Sequence, residues 1–101
     1  MPPKVTNRPF AKELPRLLET RGLALRALAR EVGGLDHGYL SRMLNEKTSV
    51  NVKHAARIAQ HLGLPPDYFP EVREARVIEA IRKSPRLRDA IYFEQVKRTP
   101  R

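Results

Sequence analysis

The fold is decided by residues Gly22–Lys47, which read GLALRALAREVGGLDHGYLSRMLNEK. Its first half carries one apolar helix face, with hydrophobic residues three or four positions apart: Leu25, Leu28, Ala29 and Val32. Gly33 and Gly34 interrupt this pattern, because glycine readily takes the positive φ that ends a helix. Asp36 is a favourable N-cap for a second helix. The apolar side of that helix holds Leu40, Met43 and Leu44. The stretch therefore predicts two short amphipathic helices, the second with a small polar face directed outward.

Length and charge narrow the class of protein. The chain has 101 residues, the size of one domain, and 20 Lys and Arg against 11 Asp and Glu give a net charge of +9. Such a charge favours a polyanionic partner. Cysteine is absent, which excludes disulfides, thiolate zinc sites and cysteine nucleophiles and fits a reducing cytoplasm. No segment has the composition of a secretory signal or the length of a membrane span, so we expect a cytoplasmic, nucleoid-associated protein with no membrane partner.

Helical patterns also flank the central stretch. Before it, apolar residues at helical spacing predict a helix that starts near Lys12 or Glu13, keeps Pro15 in its first turn and stops at Gly22. After it, Asn51 caps a helix closed by Gly63. The apolar side of that helix holds Val52, Ala55, Ala56, Ala59 and Leu62, and Lys53 and Arg57 lie on its wet side.

The last third of the chain adds a turn and two helices. Residues 64–70, LPPDYFP, predict a single helical turn docked by Tyr68 and Phe69. A fifth helix follows, and Ser84 with Pro85 predicts the N-cap and first position of a sixth. That sixth helix is expected to bury Leu87, Ala90, Ile91 and Phe93. No strand alternation or repeat occurs, so the fold class is all-α.

The predicted organisation has three parts. Residues 1–9, with three prolines and two basic residues, form a flexible basic arm. Residues 10–70 form the compact helical domain, and residues 71–101 form a C-terminal helical extension.

Residues 14–69 resemble the Cro/C1-type helix-turn-helix family, also called the XRE family, of bacterial and phage DNA-binding regulators. The matching residues are Leu14, Gly22-Leu23, Leu28-Ala29, Val32-Gly33, Tyr39-Leu40-Ser41-Arg42, Asn45, Lys47, Ile58-Ala59 and Leu62-Gly63-Leu64. The resemblance implies a five-helix, lambda-repressor-like domain with its third helix in the major groove of DNA and its second helix bracing it. Two features depart from the family. Leu25 replaces a phosphate-gripping glutamine, and Gly33-Gly34 lengthens the turn by one residue.

Candidate DNA contacts follow from this arrangement. Arg42 lies on the outward face of the third helix, where a guanidinium can bind guanine O6 and N7 together. The predicted base-contacting residues are His37, Gly38, Tyr39, Ser41 and Arg42. The predicted phosphate-contacting residues are Arg26, Asn45, Lys47, Thr48 and Lys53. Several have plainer structural alternatives: His37 as a capping residue, Tyr39 as cover for the helix junction, and Ser41 bonded to a carbonyl one turn back.

Neither catalysis nor a cofactor is predicted. His54 and His61 are seven residues apart, not the three or four that a helical metal site needs, and no further ligand is evident. No Ser, His and acid constellation occurs. We therefore expect no enzyme activity, no metal and no cofactor.

Residues 72–101 have a net charge of +5, from nine basic and four acidic residues. The extension nevertheless carries too many apolar residues for all of them to stay exposed to solvent. Self-association is favoured, since two recognition helices must be held about 34 Å apart to read successive major grooves. The predicted dimerisation residues are Ile78, Ile81, Leu87, Ile91 and Phe93. An intramolecular lid is the alternative.

These observations predict a sequence-specific, double-stranded DNA-binding transcriptional regulator that forms a homodimer on an inverted repeat. Two alternatives stay open. One is the antitoxin of a toxin and antitoxin pair, which binds its operator while its C-terminal helices hold a protein partner. The other is a protein-interaction module that does not bind DNA. RNA binding is disfavoured, because no exposed aromatic platform is evident.

Overall fold

A computed structural model describes residues 4–98 of the chain, without the side chain of Arg98. Within this range the secondary structure is entirely helical, which confirms the all-α class: α1 Phe10–Arg21, α2 Leu25–Val32, α3 His37–Leu44, α4 Val52–His61, α5 Pro70–Lys83 and α6 Pro85–Arg98. None of the described helices is long and apolar enough to cross a membrane. A specifically lambda-repressor-like arrangement of five helices stays a prediction.

The start of α1 differs from the expectation. The helix begins at Phe10 rather than near Lys12 or Glu13, so Pro15 lies in its second turn and leaves one carbonyl of the first turn without the usual helical donor. Pro9, at the N-cap, offers no side-chain acceptor. The cap comes instead from Glu71 on α5, whose carboxylate oxygens accept the Phe10 amide at 3.0 and 3.2 Å. This remote carboxylate also suits the positive end of the helix dipole.

The predictions for α2, α3 and α4 are confirmed. Asp36 Oδ2 accepts the Tyr39 amide at 3.0 Å, and Asn51 Oδ1 accepts the amides of Lys53 and His54. Each of these caps satisfies amides that a helix leaves without partners at its N-terminus. Gly33 and Gly34 both have positive φ, so the turn between α2 and α3 needs glycine at two positions.

Helices α1, α2, α3 and α4 and the first turn of α5 share one apolar core. Phe10 and Phe69 meet edge to face at its centre, with ring centroids 4.8 Å apart. The other core residues are Leu14, Leu17, Leu18, Leu28, Ala29, Leu40, Met43, Ala55, Ile58, Ala59, Leu62, Tyr68 and Val72. Because Val72 belongs to this set, α5 is anchored to the domain by its first turn.

Residues 65–68 form a hydrogen-bonded turn, in which the Tyr68 amide donates to the Pro65 carbonyl at 3.0 Å. The prediction of a helical turn here was wrong: Pro66 disfavours helical backbone at residue 65, and the segment makes one turn without continuing as a helix. The docking of Tyr68 and Phe69 is confirmed, since both are buried. Arg73 fastens the segment by donating to the carbonyls of Asp67 and Tyr68.

The N-terminal arm touches this same segment. The Thr6 amide donates to the Tyr68 carbonyl at 3.1 Å, and the Thr6 carbonyl accepts from Arg73 at 2.6 Å. The mobility predicted for residues 1–9 stays a prediction, and residues 1–3 lie outside the described range. At Thr6, however, the backbone is tied to the domain in both directions.

The extension is less buried than expected. Ser84 caps α6, its hydroxyl accepting the Leu87 amide at 3.2 Å, and Pro85 follows as the first helical residue, as predicted. Leu87, Ala90, Ile91 and Phe93 are nevertheless exposed, so the prediction that α6 buries them was wrong for the single subunit. The main contacts of α6 in the subunit are with α5 alone. An intramolecular lid is therefore not what the structure shows.

A charged cluster links α1 to the segment before α5. Glu13 is fully buried, and its carboxylate accepts from Arg16 at 2.7 and 2.9 Å and from the Tyr68 hydroxyl. The hydrogen bond from Arg16 holds the pKa of Glu13 below its usual value of 4.5, against the opposing effect of burial. Burial raises the pKa of Tyr68 above 10. The cluster thus stabilises the fold with Glu13 ionised and Tyr68 protonated.

We expect the Glu13 cluster to make stability depend on pH at both extremes. A lowered folded-state pKa gives Glu13 a contribution that is present above pH 4.5 and lost as the pH falls through the folded value, whereas the Tyr68 contribution is lost above pH 10. Glu13→Gln should cost about 2 kcal/mol at pH 7 and much less at pH 3, as measured by urea unfolding. Glu19→Gln, an exposed carboxylate of the same helix, is the control. Equal stability of wild type and Glu13→Gln at pH 7 would contradict this role.

Three helices end in the same backbone motif, and one of them lacks glycine. After α1, α3 and α4, two successive amides bond back to the last helical turn, and the first of the two residues has positive φ. These residues are Gly22, Glu46 and Gly63, with φ of 62°, 58° and 75°. Glu46 therefore adopts a left-handed conformation that is unfavourable for a residue with a side chain.

Glu46→Gly should stabilise the protein by about 0.5–1 kcal/mol, because removal of the left-handed strain outweighs the greater unfolded-state freedom of glycine. The matched change Gly63→Ala, at the equivalent position after α4, should destabilise by about 1 kcal/mol. Urea midpoints of the two variants test this contrast. A destabilised Glu46→Gly would show that the Glu46 side chain makes a compensating interaction.

Candidate nucleic-acid interface

The recognition-helix candidate α3 is held from one side only. Leu40 and Met43 are fully buried, and the helix packs mainly against α1 and α2. The opposite side carries Ser41, which is partly exposed, and Arg42, which is exposed. His37 and Gly38 lie in the first turn and are partly exposed. A polar face is therefore presented by a helix whose other face is fixed in the core.

Arg42 folds back over the first turn of α3. Its guanidinium carbon lies 5.9 Å from the centre of the Tyr39 ring, within cation–π range. Its Nη1 atom is 3.5 Å from the position that a Cβ on Gly38 would occupy. The guanidinium is therefore oriented by an aromatic neighbour and lies beside a residue without a side chain.

Gly38 has a second reason to be glycine. A Cβ at this position would come 3.0 Å from Asp36 Oδ2, the atom that caps α3. The glycine thus leaves room for both the cap and Arg42. This local geometry is an alternative to the predicted base contact as a reason for glycine at position 38.

Tyr39 packs partly against the core and meets the His54 ring of α4 edge to face, with centroids 5.7 Å apart. Its ring thus joins α3 to α4, which favours the junction role over a direct base contact. His54 Nδ1 is buried beside it and has no hydrogen-bond partner among the described residues. In the other histidine of α4, His61, the Nε2 atom lies 3.9 Å from Oε1 of Glu31 on α2. The two rings therefore have different neighbours, and no cluster of potential metal ligands occurs within residues 4–98.

The end of α3 carries both attractive and repulsive charge for a phosphate. Lys47 is exposed, and its backbone amide is fixed by a bond to the Arg42 carbonyl at 2.9 Å. Asn45 Nδ2 already donates to the Ser41 carbonyl at 3.0 Å, with a longer contact to the Ser41 hydroxyl. A phosphate contact through that amide would compete with this bond. Glu46 adds an exposed carboxylate between the two.

The predicted phosphate-contacting residues do not all share a surface. Lys47 and Thr48 follow α3 directly, and Arg26 is exposed in the first turn of α2, the helix that packs on α3. Lys53 instead lines a groove between α4 and α5, together with Ala56. Lys47 and Thr48 thus lie just after α3, where they line a hollow with Glu46 and the start of α1, and Lys53 lies on another surface.

Arg57 has a role that the sequence did not reveal. Its guanidinium donates to the carbonyls of Val32 and Gly33, each at 3.0 Å, and so caps the end of α2 at the turn before α3. The sequence placed Arg57 only on the wet side of α4. Because the partners lie 24 and 25 residues away, no local spacing could have indicated this contact.

Tyr92 and Phe93 correct another expectation. Both rings are 59% exposed and lie edge to face, 5.2 Å apart. The absence of exposed aromatic side chains therefore does not hold as a reason against RNA. Both rings lie on α6, outside the helix-turn-helix region.

Comparison with known proteins assigns the family. A helix-turn-helix family model matches residues 16–69, which are more than half of the chain. No curated protein and no solved structure gives a significant match. The chain belongs to the XRE-type helix-turn-helix family, whose members are DNA-binding regulators of transcription. Membership indicates double-stranded DNA as the binding partner.

We predict that Arg57 fixes the turn that sets α3 against α2. Arg57→Met keeps most of the apolar stem and removes the two bonds, so it should cost about 1–2 kcal/mol and speed hydrogen exchange at the amides of residues 33–36. Gln60→Ala, an exposed change on the same helix, is the control. Unchanged exchange in that turn would exclude the proposed clamp.

Proposed function

We propose that the protein is a sequence-specific transcriptional regulator that binds double-stranded DNA as a homodimer on an inverted repeat. It acts by occupying promoter DNA, without catalysis and without a cofactor. The observation that supports this most directly is the fixed α3 helix, whose buried Leu40 and Met43 hold the polar face of Arg42 outward. The major groove admits such a helix.

Base discrimination is assigned to the first turns of α3. Arg42 carries the main contact, because a guanidinium held against the Tyr39 ring loses little freedom when it binds guanine O6 and N7. His37 and Ser41 flank it, and Gly38 allows close backbone approach. Tyr39 contributes by orienting Arg42 and joining α3 to α4.

Backbone contacts supply affinity without sequence preference. Lys47 and Thr48 bind phosphate on the side where α3 ends, and Arg26 binds phosphate from the first turn of α2. Asn45 can join them only by giving up its bond to Ser41. Lys53 is the predicted phosphate-contacting residue with the least support, because it lies in the groove between α4 and α5.

A dimer fits this function since two α3 helices can read successive major grooves only when their separation is fixed near 34 Å. The apolar residues of α5 and α6 are available for that purpose. Among the predicted dimerisation residues, Ile78, Leu87, Ile91 and Phe93 are exposed, and Ile81 is partly buried.

Two substitutions separate specificity from affinity. Arg42→Ala should lower affinity for a selected operator by about 1–3 kcal/mol and relax the preference at one base pair of each half-site. Lys47→Ala should weaken all sequences alike and reduce the slope of log K against log salt by about one. Selection from random duplexes, followed by binding titrations at several salt concentrations, measures both effects.

Arg82→Ala is the matched control, because Arg82 is an exposed arginine on α5, outside the α3 surface. It should leave both specificity and salt slope close to those of wild type. If Arg42→Ala and Lys47→Ala bind the selected operator as wild type does, α3 is not the helix that enters the groove.

A further inference from the structure

We infer that α6 of one subunit lies in the groove between α4 and α5 of a second copy, so that the two subunits exchange their C-terminal helices. This inference rests on the homodimer proposed above and specifies the surface that forms it. It involves neither the polar face of α3 nor the Glu13 cluster.

The first argument is uncovered apolar surface. Almost all the large exposed hydrophobic residues lie in α5 and α6: Val77, Ile78, Leu87, Ile91, Tyr92, Phe93 and Val96. The subunit exposes 7402 Å², whereas a compact monomer of 11.6 kDa exposes about 5,800 Å². A stable homodimer buries about 1,000 Å² or more on each subunit, and the exposed apolar residues of α5 and α6 are the candidate surface for such an interface.

The second argument comes from α6 itself. Leu87 and Ile91 are four residues apart on one face, whereas Tyr92 and Val96 share a different face. A helix with apolar residues on more than one side is normally covered on more than one side. In the subunit α6 packs mainly against α5, so the apolar residues on its other sides stay exposed.

The connection between α5 and α6 excludes a closed hairpin as the source of that cover. Ser84 is the only residue between Lys83 and Pro85, and its backbone is extended, with φ −131° and ψ 96°. Antiparallel helices pack 8–10 Å apart and are joined by about two to five residues. One extended residue cannot return α6 along α5 unless a helix end unwinds. The covering surface must therefore come from another molecule.

The same chain carries a receptive surface. A groove of about 310 Å³ lies between α4 and α5, with Val52, Ala56, Val72 and Ala75 in its lining. A second hollow of about 240 Å³ shares Val52 and Ala75 with it and continues to Val50 and Ile78. Alanine at 56 and 75 lets an incoming helix approach closely. Helix and groove on one chain form the self-complementary pair that a two-fold dimer requires.

The groove and the adjoining hollow differ in charge: Lys53 and Arg76 line the groove, whereas Glu71 and Glu74 line the hollow. Glu74 lines the hollow and forms no ion pair within residues 4–98. On α6, Arg86 and Lys97 are exposed, and the described contacts give neither of them a carboxylate partner. Exchange would bring basic residues of α6 close to Glu74 in the hollow, on the side away from Lys53 and Arg76 of the groove.

The test begins with the oligomeric state of the full chain. Sedimentation should give a dimer, and Leu87→Glu with Ile91→Glu should weaken it at least about 100-fold. The helical content of the folded subunit should be retained, since both residues are exposed in it. Val5→Glu, a similarly exposed apolar residue outside the extension, should leave the dimer intact. A monomeric wild-type chain would overturn the inference.

A cross-linking experiment then distinguishes exchange from simple pairing of α6 with α6. Because the chain lacks cysteine, Ala56→Cys and Ile91→Cys each introduce one unique thiol. When the two variants are mixed and mildly oxidised, a disulfide between Cys at 56 of one copy and Cys at 91 of the other is expected. Val5→Cys mixed with Ala56→Cys measures random linkage. Linkage of Ile91→Cys only to itself, or at the random level, would overturn the exchange.

Operator binding keeps this result separate from the proposed function. The Leu87→Glu, Ile91→Glu variant should lose cooperative binding to the two-half-site operator but still bind single half-sites through α3. Failure of the wild-type chain to bind DNA would contradict the proposed function. Failure of the disulfide to form would contradict only the exchanged arrangement of α6.

Discussion

The structure depends on how a helix of only eight residues is kept in place. In isolation α3 would be mostly unfolded, because helices shorter than about 12 residues do not repay their nucleation cost in water. Burial of Leu40 and Met43 supplies what local propensity cannot. Its N-terminus is capped by Asp36, and its C-terminus closes through the left-handed Glu46. The backbone beneath the polar face of α3 is therefore fixed by the core and by both helix ends.

The support for α3 extends outward in layers. Arg57 reaches from α4 to close the end of α2, which fixes the turn that leads into α3. On the other side, Glu71 caps α1 and Arg73 binds carbonyls of the arm and of the segment before α5. These contacts connect distant parts of the chain, so the start of α5 holds α1, the arm and the segment before α5 together. The rest of α5 and all of α6 make none of these contacts and carry most of the exposed apolar residues.

The sequence predicted what is encoded locally. Leu25–Val32 and Leu40–Met43 show their apolar faces through spacing, and Asp36, Asn51 and Gly22 mark helix ends through their own chemistry. It failed where a partner lies far along the chain. Pro9 offers no cap, so the start of α1 was placed too late, and the compensating Glu71 is 61 residues away. Arg57 was predicted only as a solvent-facing residue of α4, because its partners also lie far along the chain. Of the candidate site, the α3 face followed from helical periodicity, whereas the separation of Lys53 from Lys47 required the packing of α5 on α4.

The features that cost stability are concentrated around α3. Glu46 holds a left-handed backbone, Gly33 and Gly34 give a turn with large unfolded freedom, and His54 buries a nitrogen without a hydrogen-bond partner among the described residues. By contrast, the Glu13 cluster and the Phe10–Phe69 contact lie on the side of α1 and α5 and contribute stability. A domain selected for stability alone would gain from a glycine at position 46. Position 46 nevertheless holds its left-handed backbone, because the amides of Glu46 and Lys47 close the end of α3 on the carbonyls of Met43 and Arg42.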